Sequence, residues 1–363
     1  MIIKSLKLSN YRNYDELKID FDKSINILYG NNAQGKTNIL EAVYLSGTTR
    51  SHRGSKDKEI IKFGCDESHI CVSVDKEGRD FLIDIHLKKN RPKGIAINKV
   101  PIKKASEIFG ILNLVVFSPE DLSIIKAGPA ERRRFIDSEL CQLDKVYLYD
   151  LTIYNKALNQ RNKLLKDIGF NASLEDTLEV WDRQIVDYGK KIISRRKSFV
   201  QKLNNIIKPI HKNITENNEA LNIVYEEDVS EKEYEEKFFG SRQRDIKMGY
   251  THVGPHKDDL NFEVNGIDMR KYGSQGQQRT CALSLKLAEI ELVKETVKEM
   301  PVLLLDDVLS ELDSARQNLL LNQIKDIQTI ITCTGVEDFI KNRFHINKIF
   351  HVENAKVSIK ESL

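Results

Sequence analysis

The chain is poor in the residues that staple small folds together. Its 363 residues include five cysteines (Cys65, Cys71, Cys141, Cys281 and Cys333), scattered and without a CxxC pair. That argues against a disulfide framework or a cysteine zinc site, and for a reducing cytoplasm. No apolar run reaches the roughly 18 residues a membrane helix needs, so no membrane partner is expected. The opening stretch MIIKSLKLSNYRNY is too polar and too broken for a signal peptide, and reads as a strand with Ile3, Leu6 and Leu8 on its apolar positions. No repeat or low-complexity segment is present. Neither sign of charge dominates: 57 lysines and arginines against 54 acidic residues leave +3, which alone says almost nothing about partners. With 40% hydrophobic and 31% charged residues, the chain has the make-up of an ordinary soluble protein long enough for two or three domains.

Distribution says more than totals. Residues 45–110 hold 14 basic and 9 acidic side chains, including Arg50-Ser-His52-Arg53 and Lys88-Lys89-Asn90-Arg91-Pro92-Lys93. Such a patch is either an electrostatic footprint for nucleic acid or a solvated face.

The most informative stretch is Gly30-Asn31-Asn32-Ala33-Gln34-Gly35-Lys36-Thr37. It follows an apolar strand-like run, Ile25 to Tyr29, and opens a helix-like run, Asn38 to Leu45. Strand, glycine loop and helix in that order form a phosphate-cradling P-loop. Gly30 and Gly35 let the backbone turn its N–H groups toward phosphate oxygens. The helix N-terminus and Lys36 supply positive charge, and the Thr37 hydroxyl is placed for Mg²⁺. A second acidic site is required, and Val302-Leu-Leu-Leu-Asp306-Asp307 supplies it. A buried strand would deliver Asp306 to the metal and Asp307 to the attacking water.

Around these motifs the pattern alternates. Residues 65–104 read as antiparallel strands, with Ile70–Val74 and Phe81–Leu87 joined at Asp75-Lys-Glu-Gly78 and a further strand over Gly94–Val100. Leu112–Phe117 reads as a buried strand. From about Pro129 to Thr215 apolar residues recur at helical spacing in two series broken at 167–173, which predicts an antiparallel helical hairpin containing Trp181 in its core. Residues 215–247 are acid-rich and poorly periodic and read as a connection. Asp259–Val264 and Ile267–Lys271 predict a hairpin around Asn265-Gly266. A helix over Arg279–Lys298 and a strand over Gln328–Cys333 complete a parallel α/β core. The expected division is a head formed by 1–125 with 248–363, and a helical arm over 126–247.

Just before the Arg279 helix stands Gly273-Ser274-Gln275-Gly276-Gln277-Gln278, a second phosphate-reading helix end. One nucleotide does not need both ends from one subunit. A head-to-tail homodimer resolves this: the Ser274 loop of one copy closes on the γ-phosphate held by the other, with Ser310-Glu311-Leu312-Asp313 at the same interface.

The order of these motifs is that of ABC-type ATPase heads, and the chain resembles the RecF family of bacterial recombination mediators along most of its length. The stretches that carry the resemblance are Leu8–Tyr14, Gly30–Thr37, Ser51-His52-Arg53, Phe117–Leu122, Gly128–Asp137, Thr251–Asp259, Gly273–Arg279 and Leu303–Asp313. The resemblance implies a fold: an α/β P-loop ATPase head with an antiparallel β subdomain and an inserted helical arm. It implies ATP with Mg²⁺ as cofactors and ATP-dependent dimerisation. It also implies binding to duplex DNA near single-strand gaps, and action with RecR and RecO to load RecA in DNA repair, replication restart and the SOS response. Slow, DNA-stimulated hydrolysis would serve as a switch. Gly30 to Thr37 becomes Walker A, Asp306 with Asp307 Walker B, Ser274, Gly276 and Gln277 the signature loop, and Asp313 part of the D-loop. Arg12 matches an arginine that approaches the phosphates in related heads.

The match has departures. Asp307 stands where glutamate is usual, which is consistent with slow turnover. Gln275 replaces a signature glycine, Glu120 is only a candidate for the Q-loop position, and Thr332-Cys333-Thr334 occupies the place of a switch histidine. Arg132, Arg133 and Arg134 can touch phosphates or pair with Glu131 and Asp137. His252 and His256 near Asp258 and Asp259 resemble metal ligands, but Gly254 and Pro255 forbid a shared helical face. A transporter's nucleotide-binding subunit is the alternative reading, disfavoured by the missing Q-loop and switch histidine. A chromosome-organising protein of the SMC type is a third, for which the arm is short.

Overall fold

The structure, a computed structural model, describes residues 1–335 and 348–360. It divides into two compact units, Met1–Asp121 with Glu289–Leu363, and Leu122–Ala288.

The first unit is built on a six-stranded sheet. Ile25–Tyr29 lies between Thr329–Cys333 and Lys348–Glu353; Val302–Asp306 and then Leu114–Phe117 follow on the Thr329 side. All these pairings are parallel, and only the edge strand Lys356–Lys360 runs antiparallel, to Lys348–Glu353. Every residue of Leu114–Phe117, Val302–Asp306 and Thr329–Cys333 is buried. This is why they read as unbroken apolar runs: a parallel sheet is covered on both faces. Parallel register also sends the carboxyl ends of the five parallel strands to one edge, with Asp306 opposite Thr332 and Cys333 opposite Tyr29.

A second sheet in the same unit is antiparallel, in the order Tyr14–Asp20, Ile2–Tyr11, Glu67–Lys76, Arg79–Lys88, Arg91–Ile97, Val100–Pro101. Alternate residues of Glu67–Lys76 are buried, as a sheet with one solvated face requires. The single strand expected over Gly94–Val100 is instead a hairpin. Asn98 and Lys99 both take positive φ and reverse the chain.

The second unit holds three long helices, Pro129–Leu143, Lys145–Ile168 and Leu178–Ile214, and a three-stranded antiparallel sheet, Ile267–Asp268, Asp259–Val264 and Leu221–Glu226. The first helical series is therefore two helices. Asp144 ends one and caps the next, its side chain accepting from the Val146 and Tyr147 N–H groups. Trp181 is only half-buried. The acid-rich connection expected over 215–247 contains Leu221–Glu226 and two short helices, Tyr234–Gly240 and Arg242–Met248. The hairpin at Asn265-Gly266 forms with both residues at positive φ, but its second strand stops at Asp268, which caps a short helix, Met269–Tyr272.

The compact division puts the return to the first unit at Glu289, not at 248. The cause is pairing. Asp259–Val264 pairs along its whole length with Leu221–Glu226. Arg132 makes a bidentate contact with Asp259, Arg133 donates to the Asp258 carbonyl, and Arg196 donates to the Pro255 carbonyl and the Asp258 carboxylate. The His252 and His256 rings are part of this scaffold. His252 Nδ1 lies 2.7 Å from Asp245 Oδ1, and His256 Nδ1 lies 2.7 Å from the Tyr154 hydroxyl.

Buried arginines hold the helices together. Arg161, fully buried, donates to Asp182 and Asp245 at 2.6 Å each and to the Thr251 hydroxyl at 2.8 Å, and packs over the Phe238 ring. Arg161→Ala would take from two buried carboxylates the cation they share, leaving Asp182 only the more distant Arg242 at 3.8 Å and Asp245 its contact with His252. The expected loss is about 3–5 kcal/mol of unfolding free energy, measured by denaturant titration against wild type.

Candidate nucleotide site

The P-loop leaves Ile25–Tyr29 and enters the helix Lys36–Thr48. Its glycines are required by sterics as well as by phosphate approach. Gly30 has φ 151°, and a Cβ there would lie 2.2 Å from the Val352 carbonyl oxygen. Gly35 has φ 113°, and a Cβ there would lie 2.7 Å from both Asn13 Nδ2 and the Tyr14 hydroxyl. Asn31, Asn32 and Ala33 are exposed, with Ala33 in the left-handed region, while Lys36 is buried. The Lys36 ammonium reaches back across the loop and donates to the carbonyls of Gly30 at 2.7 Å and Asn31 at 3.0 Å. Gln34 Oε1 accepts the Asn354 N–H at 2.6 Å, which ties the loop to the hairpin of Lys348–Glu353 and Lys356–Lys360.

From the other side, Asn13 and Tyr14 clamp the loop. Asn13 Nδ2 donates to the Gln34 carbonyl, the Tyr14 hydroxyl donates to the Gly35 carbonyl, and Asn38 Nδ2 donates to Asn13 Oδ1. Sequence reasoning assigned neither residue to the site. The signal was their adjacency to Arg12 at the end of the first strand.

Asp306 arrives from the neighbouring strand. Its Oδ1 accepts from the Thr37 hydroxyl at 2.9 Å and from the Thr332 hydroxyl at 2.7 Å. Thr332 Oγ1 in turn accepts the Asp307 N–H at 3.0 Å. One hydroxyl thus fixes both Walker B residues, a role not foreseen for Thr332. Burial raises the Asp306 carboxyl above its usual range, against the two hydroxyls that stabilise its charge. The donor set fits Mg²⁺: cis oxygens of an octahedron with metal bonds of about 2.0–2.1 Å lie roughly 2.9 Å apart, matching the Thr37–Asp306 spacing. A divalent cation held there would also offset the burial of the carboxylate.

Asp307 sits in the left-handed region, φ 51° and ψ 16°. Short polar side chains tolerate that conformation best, so the backbone itself favours aspartate here over the glutamate usual in related heads. The Asp307 carbonyl accepts from the Ser310 hydroxyl at 2.7 Å. Asp313 caps the helix Ser314–Gln323, accepting the Arg316 N–H at 2.9 Å.

Arg12 is held within its own unit. Its guanidinium donates to both oxygens of Glu41, at 2.8 and 2.6 Å, to the Glu59 carbonyl and to the Ser55 hydroxyl. Glu41, on the P-loop helix, is fully buried and also accepts from the Ser51 hydroxyl at 2.5 Å. Burial alone would raise the Glu41 carboxyl, but Arg12 and Ser51 outweigh it and hold it below the usual range. Here Arg12 braces the loop carrying Ser51, His52 and Ser55. Glu120 is exposed, and with Glu41 and Asp306 it contributes to the negative field around His52.

In the second unit, Ser274 opens the helix Gln275–Val297, so the signature residues form its first turn rather than a separate loop. The Ser274 hydroxyl accepts the Gln277 N–H at 3.2 Å, while Gln277 Oε1 accepts the Ser274 N–H at 3.0 Å. This is a reciprocal capping box. Ser274 and Gly276 are exposed, and a Cβ at Gly276 would meet only Ser274 Oγ, at 4.0 Å.

A P-loop with a strand-borne aspartate beside its threonine, and a capped signature helix in the same chain, define the ABC-type ATPase heads. A family model described as the RecF/RecN/SMC N terminal domain matches residues 2–358. The chain is 62% identical over 359 residues, 99% of each chain, to DNA replication and repair protein RecF of Agathobacter rectalis. It is 60% identical over 357 residues to the protein of the same name from Lachnoclostridium phytofermentans, covering 98% of this chain and 99% of the other. A solved structure described as the recombination mediator protein RecF with ATP in the RecFOR pathway superposes with a TM-score of 0.93 at 37% identity, covering 99% of this chain and 98% of that one. The Smc head domain of Pyrococcus furiosus shares the fold alone, at 17% identity and TM-score 0.57. The chain belongs to the RecF family of ABC-type ATPases.

Because Asp306 is protonated more readily in the fold than in the unfolded chain, its ionised form weighs against the fold as pH rises through the carboxylate range. Asp306→Asn is therefore expected to melt with wild type at acid pH and above it at neutral pH, without nucleotide. The rise in melting temperature on adding Mg²⁺ and ATP should disappear. Thermal melts at two pH values, with and without Mg²⁺-ATP, check both.

Proposed function

We propose that the protein is an ATP-switched DNA-binding protein of recombinational repair and replication restart. Two copies close head to tail on ATP, each P-loop facing the other's signature turn. The closed pair binds duplex DNA near single-strand gaps and, with RecR and RecO, helps load RecA. Lys36 neutralises the phosphates, Thr37 and Asp306 hold Mg²⁺, and Asp307 orients water for slow, DNA-stimulated hydrolysis that reopens the pair.

The observation that carries this reading is the division of labour between the two phosphate-reading ends. The P-loop has its metal-binding aspartate within its own unit, at 2.9 Å from Thr37. The signature turn is exposed, and nothing among the described residues demands glycine at 276. A glycine with open space above it suits close approach by a group from another molecule. The RecF-ATP structures and the names of the relatives support the same reading.

DNA binding should be electrostatic and tolerant of sequence. Several residues of the basic stretch face carboxylates: Lys88 with Glu67, Lys89 with Asp66, and Lys93 with Asp57. Arg50, Arg53 and Arg91 are exposed and are the better candidates for phosphate contacts.

Sedimentation with ATP tests the pairing: wild type is expected to dimerise, and Lys36→Met and Ser274→Arg to remain monomeric. If both variants dimerise as wild type does, the sandwich is wrong. Gel shifts on gapped, duplex and single-stranded DNA are expected to show ATP-dependent binding that weakens steeply with salt, with a log–log slope of about −0.9 per phosphate contact. Affinity that is flat from low to moderate salt would refute the basic-surface model.

A further inference from the structure

The signature turn is not held by its own capping box alone. Gln277 Nε2 donates to Glu219 Oε1 at 2.8 Å. Glu219 lies in the turn between the long helix Leu178–Ile214 and the strand Leu221–Glu226, with its side chain mostly buried. Its other oxygen, Oε2, lies 3.3 Å from Nε2 of His211, which is fully buried in the last turn of that helix. His211 Nδ1 is 2.9 Å from the hydroxyl of Ser284, itself fully buried on the Gln275–Val297 helix.

Burial pushes His211 below the ordinary histidine value, against the pull of Glu219, so the ring is neutral at neutral pH. With its proton on Nε2 it donates to Glu219, leaving Nδ1 as an acceptor beside the Ser284 hydroxyl, which also lies 2.8 Å from the Thr280 carbonyl. Glu219 then accepts from His211 with one oxygen and from Gln277 with the other. That fixes which end of the Gln277 carboxamide faces inward. Only with its NH₂ toward Glu219 does Gln277 turn its oxygen to the Ser274 N–H.

We propose that Glu219, backed by His211, is a positioning residue for the signature turn, through which the end of the long helix sets the Ser274–Gln277 geometry presented to the nucleotide of a second copy. It rests on the reading of Ser274 to Gln277 as the signature turn. The inner end of the relay is sealed from solvent and the outer end is exposed, as expected of a support that never touches the ligand. Hydrogen bonding to a carboxylate is the stronger kind, which suits a group that must hold an exposed side chain in one orientation.

The test is a polarity swap. Gln277→Glu alone sets two carboxylates against each other and is expected to weaken ATP-dependent dimerisation by about tenfold or more. Adding Glu219→Gln restores every contact, with donor and acceptor reversed only between positions 219 and 277. The carboxamide then at position 219 accepts from His211 with its oxygen and donates through its NH₂ to the carboxylate then at position 277. The second oxygen of that carboxylate accepts the Ser274 N–H. The double variant should recover most of the dimer. Glu219→Ala is expected to lower kcat and dimer affinity together, while a fluorescent ATP analogue binds the dilute monomer with wild-type affinity. Melting curves confirm that each variant is folded.

The outcomes separate. If Ser274→Arg dimerises normally, the signature reading falls and this inference with it. If Ser274→Arg fails but Glu219→Ala and Gln277→Glu behave as wild type, the positioning role alone is wrong. If Gln277→Glu fails and the swap does not rescue it, the pairing is wrong as well.

Discussion

The nucleotide site depends on parallel strands ending at a common edge. Parallel register sets Asp306 opposite Thr332 and Cys333 opposite Tyr29, so the Asp306 carboxylate and the P-loop meet without any loop having to search for the other. The same arrangement creates a difficulty. Strands covered on both faces deliver a carboxylate into a place with little water, where its charge is disfavoured. Two hydroxyls partly relieve that cost, Thr37 from the first turn of the P-loop helix and Thr332 from the adjacent strand. An ion with two positive charges would relieve it further. The case for such a cation is thus built into the sheet's own geometry.

The second unit solves its packing problem differently. Its helices carry charged residues on faces that pack together. Arg132, Arg161 and Arg196 are buried, each joined to carboxylates or carbonyls from distant parts of the chain. Buried ion pairs of this kind do little for net stability compared with apolar side chains of the same volume. They do specify partners: an arginine facing two aspartates tolerates neither a slipped register nor a rotated helix. An arm that must hold a signature turn in one orientation gains from such specification.

Much of this was legible in the sequence, for a reason that also marks where legibility stopped. Gly30 to Thr37 and Val302 to Asp307 announce themselves because local sequence dictates local structure there: glycines at turns, unbroken apolar runs in doubly covered strands. The contacts that complete the site are not local. Arg12 meets Glu41, and Thr332 serves Asp306, across intervals over which periodicity carries no information. The break at Asp144 was hidden because both flanking segments are helical with the same spacing. The strand Leu221–Glu226 was hidden by the acidic residues around it, and its pairing with Asp259–Val264 moved the boundary between units to Glu289. Arg12 was foreseen near phosphate from resemblance alone; its bond to a fully buried glutamate could be seen only once the fold was present.

Gly30 carries one more consequence. The carbonyl that forbids a side chain there belongs to Val352, and both neighbours of the Ile25–Tyr29 strand come from the far end of the chain. During synthesis the loop emerges early and then waits while roughly 300 further residues are added, a matter of some 15–60 s at ordinary translation rates. Throughout most of that interval the Walker B strand and the flanking hairpin do not yet exist. A nascent chain therefore carries the phosphate-binding motif in its sequence but lacks the walls that shape it. Truncated products would be poor competitors for nucleotide, so topology itself makes late synthesis of the distal strands a condition for forming the site.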